Sequence, residues 1–468
     1  MSLIIPANSA AASGGYEVDN SVRLFSNTYL HKTPDNAGNT TKFTASFWVK
    51  RSKITARQEM VAKWSSGTNN ATIRFSDDDT LDFVDYQSNA VVLGKITTRK
   101  FRDVGAWYHI VCSIDTTQSV AANRAKIFVN GVQETSFSTD TIYAEDDEIS
   151  WNNTWSVNVG WSGNDGYMDG YMAEVVFIDG LQLAADQFGE FDEDSKIWKP
   201  IDVSGLTFGT HGFYLDFEAS DNLGNDANGG TDFTESGLAA IDQSTDTCTN
   251  NFATLNPLDN FFAGSTLAEG NCKVTYLSGS GKYGYNTGTI ALTSGKWYHE
   301  IKIVQSAGSN YNMFGIEEDV CQSVGHEYLS SSTGYVLNGN NGKIIARGTE
   351  VTYGNATAVN DIIGVYIDLD NNKLYFAENG TIMNSGTGQT IAAASATKHG
   401  YYFVLGGDYS SGTVGIHEFN FGNPIFTGTD KTDANGYGSF EYDPSVGTFD
   451  SASKDFLAIC TKNLAEYG

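Results

Sequence analysis

Basic side chains are in short supply. The chain carries 28 Lys and Arg against 56 Asp and Glu, a formal net charge of -28. A surface of that sign repels phosphate backbones, which excludes nucleic acid as the expected partner. Long apolar runs are missing too. No stretch approaches the roughly 18–20 residues of a membrane span, so membrane insertion is not expected. The opening MSLIIPANSAAASGGYE has no basic region and only three consecutive large apolar residues, and it does not read as a secretory signal. Cysteine is sparse: Cys112, Cys248, Cys272, Cys321 and Cys460 are scattered, odd in number and without a C-x-x-C pair. That pattern suggests reduced thiols and assembly in a reducing compartment. No H-E-x-x-H, P-loop or G-x-S-x-G string occurs, which removes the common metalloprotease, nucleotidase and serine-hydrolase signatures.

What is present is glycine (50 residues), aromatic side chains (13%) and many short apolar runs set between Asn, Asp, Ser and Thr clusters. This is the pattern of an all-β chain with many turns. At 468 residues it is too long for one core, and two domains are expected. A small, polar arm covers 1–21. The runs SVRLFSNTYLHKTP, FTASFWVKRS, ATIRFS, LDFVDYQS, VVLGKITT, AWYHIVCSID, AKIFVNGVQET, WSVNVGWS and GYMAEVVFIDG read as a meander within 22–200. LAADQFGEF is its one helical stretch. Residues 201–271 hold one strand, GFYLDFEA, and otherwise read as an ordered connector. A second β series fills 272–422, and 423–468 closes the chain. The expected fold class is all-β, with two antiparallel jelly-roll β-sandwiches joined by the connector.

Gly-x-Trp-Tyr-His occurs twice, in GAWYHIVCSID and in GKWYHEIKI. Side chains alternate faces along a strand. The first string puts Tyr108, Ile110, Cys112 and Ile114 on its apolar face. The second puts Trp297, His299, Ile301 and Ile303 there. The registers are opposite, so the shared letters are strand chemistry and not a repeat. His109 falls on the mixed face and is expected to be more exposed than His299. No serine or cysteine nucleophile is suggested for either.

Two acidic strings invite a chemical reading. DLDNNK (368–373) opens like an EF-hand loop but lacks the Gly and the closing Glu that the loop needs. A hairpin turn between IIGVYIDLD and KLYFAENG explains it. EFDEDS (190–195) approaches the acid triplet of some jelly-roll glucanases, but Ser195 stands at the last acidic position, leaving an exposed turn. Trp151, Trp155 and Trp161 cluster in WNNTWSVNVGWSGNDGYMDG. Their odd-numbered positions would bring them to one face of a continuous strand, where aromatic rings stack on sugars or pack into the core. With Asp165 they form the candidate ligand-binding set. Asp165 and Asp169 alone make a weak calcium site, and no cofactor is called for.

FTASFWVKRS, AWYHIVCSID, KIFVNGVQET and YMDGYMAEVVFIDG give residues 22–200 a pattern that resembles the laminin-G-like, concanavalin-type jelly rolls. GKWYHEIKI, FGIEE, DIIGVYIDLDNNKLYFAENG and FNFG give 272–422 a pattern that resembles a SPRY domain. A narrower likeness lies in MAEVVFIDGLQLAADQFGEFDEDSKIWKP, GFYLDFEASDNLGNDANGGTDFT, TNNFATLNPLD and FLAICTKNL. These resemble an arrangement in virion appendage proteins of tailed, often marine, phages. The resemblance implies a non-enzymatic virion protein, a tail or capsid fibre that attaches to a host-surface glycan or protein. It also implies assembly in the bacterial cytoplasm beside other virion proteins, and a homo-oligomer such as a trimer. A ligand-free decoration protein and a glycan-degrading enzyme are the competing readings, the latter requiring a carboxylate pair about 5–9.5 Å apart.

Overall fold

The computed structural model describes residues 15–164, 166–262, 265–276, 282–306, 308, 311–319, 333–410, 413–450 and 455–468. The chain forms two compact units, one over Ala12–Thr249 and the other holding Asn250–Gly468.

Among the described residues, the first unit faces two eight-stranded sheets against each other. One runs Val132–Gln133, Ala125–Val129, Trp107–Asp115, Lys42–Arg51, Gly170–Asp179, Ser21–Leu24 and Gln243–Ser244, with Phe213–Leu215 also on Gly170–Asp179. The other runs Phe137–Thr141, Ala90–Lys100, Thr80–Gln87, Asn69–Phe75, Gln58–Ser66, Ser156–Val159, Tyr29–Lys32 and Thr234–Ser236. Every pairing in both is antiparallel. The alternation read from GAWYHIVCSID is what the core uses: Tyr108, Ile110, Cys112 and Ile114 all face it. SVRLFSNTYLHKTP divides into two strands, one in each sheet, at a turn where Asn27 takes a left-handed φ of 69°. The stretch expected to be helical gives only a short 3-10 turn, Ala185–Gln187, before the strand Gly189–Phe191 pairs with Trp198–Pro200. Apolar spacing in LAADQFGEF served a turn and a hairpin, not a helix.

His109 corrects the expectation of exposure. It is 1% exposed and lies between Trp48 (4.7 Å between rings) and Trp198 (5.9 Å). Trp198 Nε1 donates to its Nδ1 at 3.0 Å, so Nε2–H donates to Ser46 Oγ at 2.9 Å. Burial holds the imidazole neutral, with its pKa down to about 3. The outer face of this sheet is itself covered by the 183–214 segment, which the strand pattern alone does not reveal.

On the same sheet, Glu174 sits where the pairing register with Lys42–Arg51 shifts, at a φ of 51°. Its carboxylate accepts hydrogen bonds from Tyr214 Oη at 3.0 and 2.8 Å and from Tyr16 Oη at 3.4 Å. Burial raises its pKa to about 7.

In the second unit, one sheet runs Leu255–Phe262, Lys282–Leu292, Tyr402–Ser410, Asn312–Glu317, Tyr335–Asn338, Lys343–Ala346 and Thr349–Thr352. The facing sheet centres on Lys296–Gln305, flanked by Ile416–Asn420 and Ile362–Asp368, with Lys373–Glu378 beyond. DLDNNK is the hairpin turn expected: Asp368 Oδ1 accepts from Asn371 N at 2.9 Å, and Asn372 has φ 57°. His299 is fully buried, stacked near Phe421 at 5.5 Å, and burial takes its pKa down to about 3.

The stretch 201–271 is shared between the units. Phe213–Leu215, Thr234–Ser236 and Gln243–Ser244 complete sheets of the first, while Leu255–Phe262 and Ser265–Ala268 belong to the second. The closing segment folds back on its own unit. Leu457–Ala458 adds a parallel strand beside Trp297 and Tyr298, and the helix Thr461–Tyr467 follows. Glu300 anchors this segment: its carboxylate accepts from Tyr298 Oη (2.9 Å), Asn420 Nδ2 (3.0 Å), Glu441 N (3.0 Å) and Tyr442 N (2.8 Å). Phe440 and Phe456 pack there against Tyr298, Tyr366 and Tyr375.

Candidate functional site

Across three strands of the first unit, Val157 stands opposite Lys63 on one side and Lys32 on the other. Leu30, Val157 and Val159 belong to the core, and alternation puts Lys32 on the same inward face as Leu30. Two lysines therefore point into a sandwich where the pattern calls for apolar residues. Such a local conflict is where function is to be sought.

The lysines border a cavity of about 480 Å³, which also meets Trp151, Asn152, Phe177, His211 and Phe213. Its aromatic lining residues Trp151, Phe177 and Phe213 are joined through core rings behind them. Trp151 stacks on Phe43 (4.9 Å), Phe43 on Phe177 (5.2 Å) and Phe177 on Phe213 (5.4 Å), with Phe233 edge-on to Phe213 (4.7 Å). Lys32 Nζ lies 4.7 Å from the Phe233 ring centre and 5.3 Å from that of Phe213, a cation–π arrangement. It donates to Thr231 O at 2.9 Å and lies 3.5 Å from Asp226 Oδ2.

Asp226 and Asp232 on the rim are engaged in holding the loop. Asp226 Oδ1 accepts from Tyr214 N (3.0 Å) and Asn228 N (3.2 Å). Asp232 accepts from Asp226 N (3.0 Å) and Asn222 Nδ2 (2.9 Å). Gly230 passes so close that a Cβ there would lie 2.3 Å from Asp226 Oδ2.

Three buried polar groups remain under-used. Lys63, 2% exposed, donates to Asn153 O at 2.9 Å. Burial pushes its amine down to about 7, and the neighbouring Lys32 charge adds to the effect. Trp151 Nε1, on a ring 1% exposed, has no hydrogen-bond partner among the described residues. Neither has Asn152 Oδ1, although its Nδ2 donates to the carbonyls of Asn39 (2.7 Å) and Lys42 (2.9 Å). Orphaned buried polar atoms are costly, and two of them, with one buried amine, belong to residues that border this cavity.

The tryptophans of the candidate set do not share a face. The strand is only Ser156–Val159, and the chain bends before it and turns after it at Gly160, φ 91°. Trp151 is a core residue that lines the cavity. Trp155 is half-buried in the preceding bend, its N–H donating to Asn153 Oδ1 at 2.9 Å. Trp161 is also half-buried, and it joins Tyr167 (5.6 Å, stacked) and Tyr29 (4.6 Å) in a separate group. Asp165 lies outside the described residues. Among the described residues, no three His, Cys, Asp or Glu side chains come together to hold a metal ion.

Residues 25–186 match the model of the concanavalin A-like lectin/glucanases superfamily, and residues 296–404 match that of the SPRY domain. The chain pairs a concanavalin-like jelly roll with a SPRY jelly roll. Among solved structures, the SPRY domain of human HERC1 is 17% identical, over 35% of this chain and 96% of that one, with a TM-score of 0.28. Domain 4 of AbnA, an extracellular arabinanase from Geobacillus stearothermophilus, solved with arabinotriose, is 16% identical over 31% of this chain and 64% of its own (TM-score 0.26). A Bacteroides ovatus protein described as carbohydrate-binding is 15% identical over 47% of this chain and 58% of its own (TM-score 0.32). No curated protein sequence matches the chain significantly. The cavity-closing residues Thr210–Phe213 and Asp226–Thr234 follow the span matched in the concanavalin-like jelly roll. This part of the site is therefore added by the chain to the matched region.

Proposed function

We propose that this protein is a non-enzymatic, glycan-binding virion component, a tail or capsid fibre that attaches a phage to its host surface. The observation that carries the binding role is the cavity of the concanavalin-like jelly roll. Its polar lining, with Lys32, Asn36, His211 and Thr231 in front of the aromatic rings of Trp151, Phe177 and Phe213, suits the hydroxyls of a sugar. Two of the carboxylates beside it, Asp226 and Asp232, accept from backbone N–H groups, which favours binding over acid–base chemistry. Virion placement draws its support from the likeness of MAEVVFIDGLQLAADQFGEFDEDSKIWKP and the segments after it to phage appendage proteins.

Two measurements test this reading. The full chain is applied to an array of bacterial surface polysaccharides, with reducing-sugar release followed in parallel. Retention without release is expected, whereas release would make the protein an enzyme. Immunogold microscopy with an antibody against 272–422 should label purified particles. Unlabelled particles would remove the virion assignment.

A further inference from the structure

The segment that leads into the first unit is seated over an ionisable group. We propose that Tyr16, Glu174 and Tyr214 form an acid-tightened latch: protonated Glu174 holds residues 15–20 against the sheet, and ionised Glu174 lets them go.

Residues 15–20 precede the strand Ser21–Leu24 and belong to neither sheet. Val18 and Tyr16 seat them. Val18 is buried with Trp48, Trp107, Tyr171 and Ala173. Its N–H donates to Thr249 Oγ1 at 3.1 Å, and its carbonyl accepts from that hydroxyl at 2.9 Å. Tyr16 Oη reaches Glu174 Oε2 at 3.4 Å and Tyr214 Oη at 3.1 Å.

The carboxyl under Tyr16 has no counter-charge. Glu174 is buried, and among the described residues no lysine, arginine or histidine pairs with it. The titratable groups around it come from every element packed there. Tyr16 and Glu17 belong to the segment itself, Tyr214 and Asp216 to the neighbouring strand and its end, and Asp202 to the stretch before that strand. Cys248 and Asp246 come from the stretch that ends at Thr249. Asp246 is paired with Lys50 at 2.6 Å. Lys199, which touches Gly15, is paired with Glu190 and Asp192.

A buried carboxyl without a cation favours its protonated form. As an acid it also supplies a donor, so the two phenols and the carboxyl make a neutral network. Ionisation puts a charge into the same enclosure, and that charge calls for water. Tyr214 is held to Glu174 by contacts of 3.0 and 2.8 Å, from a strand paired in the sheet. Tyr16 is held by a single 3.4 Å contact, from a segment outside the sheet. Tyr16 is therefore the cover that yields. The left-handed φ of 51° at Glu174 is backbone strain of the kind retained where a side chain has a task.

The direction of the pH effect follows. Burial raises the Glu174 pKa from 4.5 to about 7, and hydration returns it toward 4.5. The hold is complete below 4.5, weakens about tenfold per pH unit between the two values, and is spent above about 7. Release uncovers the apolar surface of Trp107 and Tyr171 that Val18 helps to bury.

The test is amide hydrogen exchange on the full chain from about pH 5 to 8. It is expressed as protection factors, which removes base catalysis of exchange itself. The Val18 amide reads the latch, and the amides of Trp107–Asp115, inside the sheet, read the unit as a whole. Val18 protection should fall about fiftyfold across that range, while the inner strand keeps its own. Glu174→Gln, neutral at every pH, should keep Val18 protected at pH 8. Tyr16→Ala removes the cover and should leave Val18 weakly protected throughout. That change lies outside both sheets, so it keeps the latch testable should Glu174→Gln fail to fold. Constant Val18 protection in the wild type, a fall shared by the inner strand, or an equal fall in Glu174→Gln would each overturn the proposal.

Discussion

At the scale of single residues, two buried ionisable groups contribute opposite pH dependences to the first unit. Glu174, enclosed by Tyr214 and Tyr16, has its pKa raised to about 7 from an ordinary 4.5. The folded state therefore holds a proton that the unfolded chain releases. The stability this contributes is full below the unfolded value of 4.5 and is lost as pH rises through about 7. Glu174→Gln should flatten that loss, worth roughly 2–3 kcal/mol at pH 8. Thermal melts of both proteins from pH 4 to 8 would check it, and parallel curves would refute the assignment. Lys63 has the opposite sign of shift, down from 10.5 to about 7. Its stabilising share is present above 10.5 and lost as pH falls through about 7. Replacing it with Met should therefore raise the unfolding temperature of the ligand-free protein at pH 7, a trade of stability for binding that buried functional groups commonly impose. A lower unfolding temperature would mean that the bond to Asn153 O outweighs the burial of the amine.

Elements were legible where alternation was clean and hidden where it broke. GAWYHIVCSID and GKWYHEIKI announced which residues face their cores, and the DLDNNK turn followed from Asp and Asn chemistry. Gln58–Ser66 escaped because its pairing register shifts between Glu59 and Val61, so its apolar residues do not alternate. Phe137–Thr141 is mostly exposed and has no apolar face to read. Half of the site was visible in hindsight: Lys32 follows Leu30 at the core parity, and Lys63 follows Val61. What no local pattern encodes is that Val157 brings those lysines onto one rung, or that residues 226–234 return to close the cavity. At this scale Glu300 is the decisive test in the second unit. Glu300→Ala strips acceptors from the N–H groups of Glu441 and Tyr442 and should cost about 2–5 kcal/mol. Urea unfolding would measure it, and a cost below about 1 kcal/mol would show that the aromatic contacts alone hold the closing segment.

For the whole molecule, the important boundary is the one between Thr249 and Asn250. A break there leaves the described sheets of both units complete, whereas a break at 271 removes Leu255–Phe262 and Ser265–Ala268 from the second. Fragments 1–249 and 250–468 should each melt cooperatively, while 272–468 should not. Equal cooperativity in 250–468 and 272–468 would show that those two strands are dispensable. Fold class was the most readable property of the chain, because turn chemistry and strand-length apolar runs recur throughout it.

One bridge carries a broader consequence. Phe252 pairs with Cys460, and Ala253 N donates to Ile459 O at 2.9 Å. The segments that open and close the second unit thus lie side by side, like the two halves of a clasp. The ends of a module of that geometry can be joined and the chain reopened elsewhere on its surface. Such a clasp makes the unit permutable: a circularly permuted 250–468 should keep its fold.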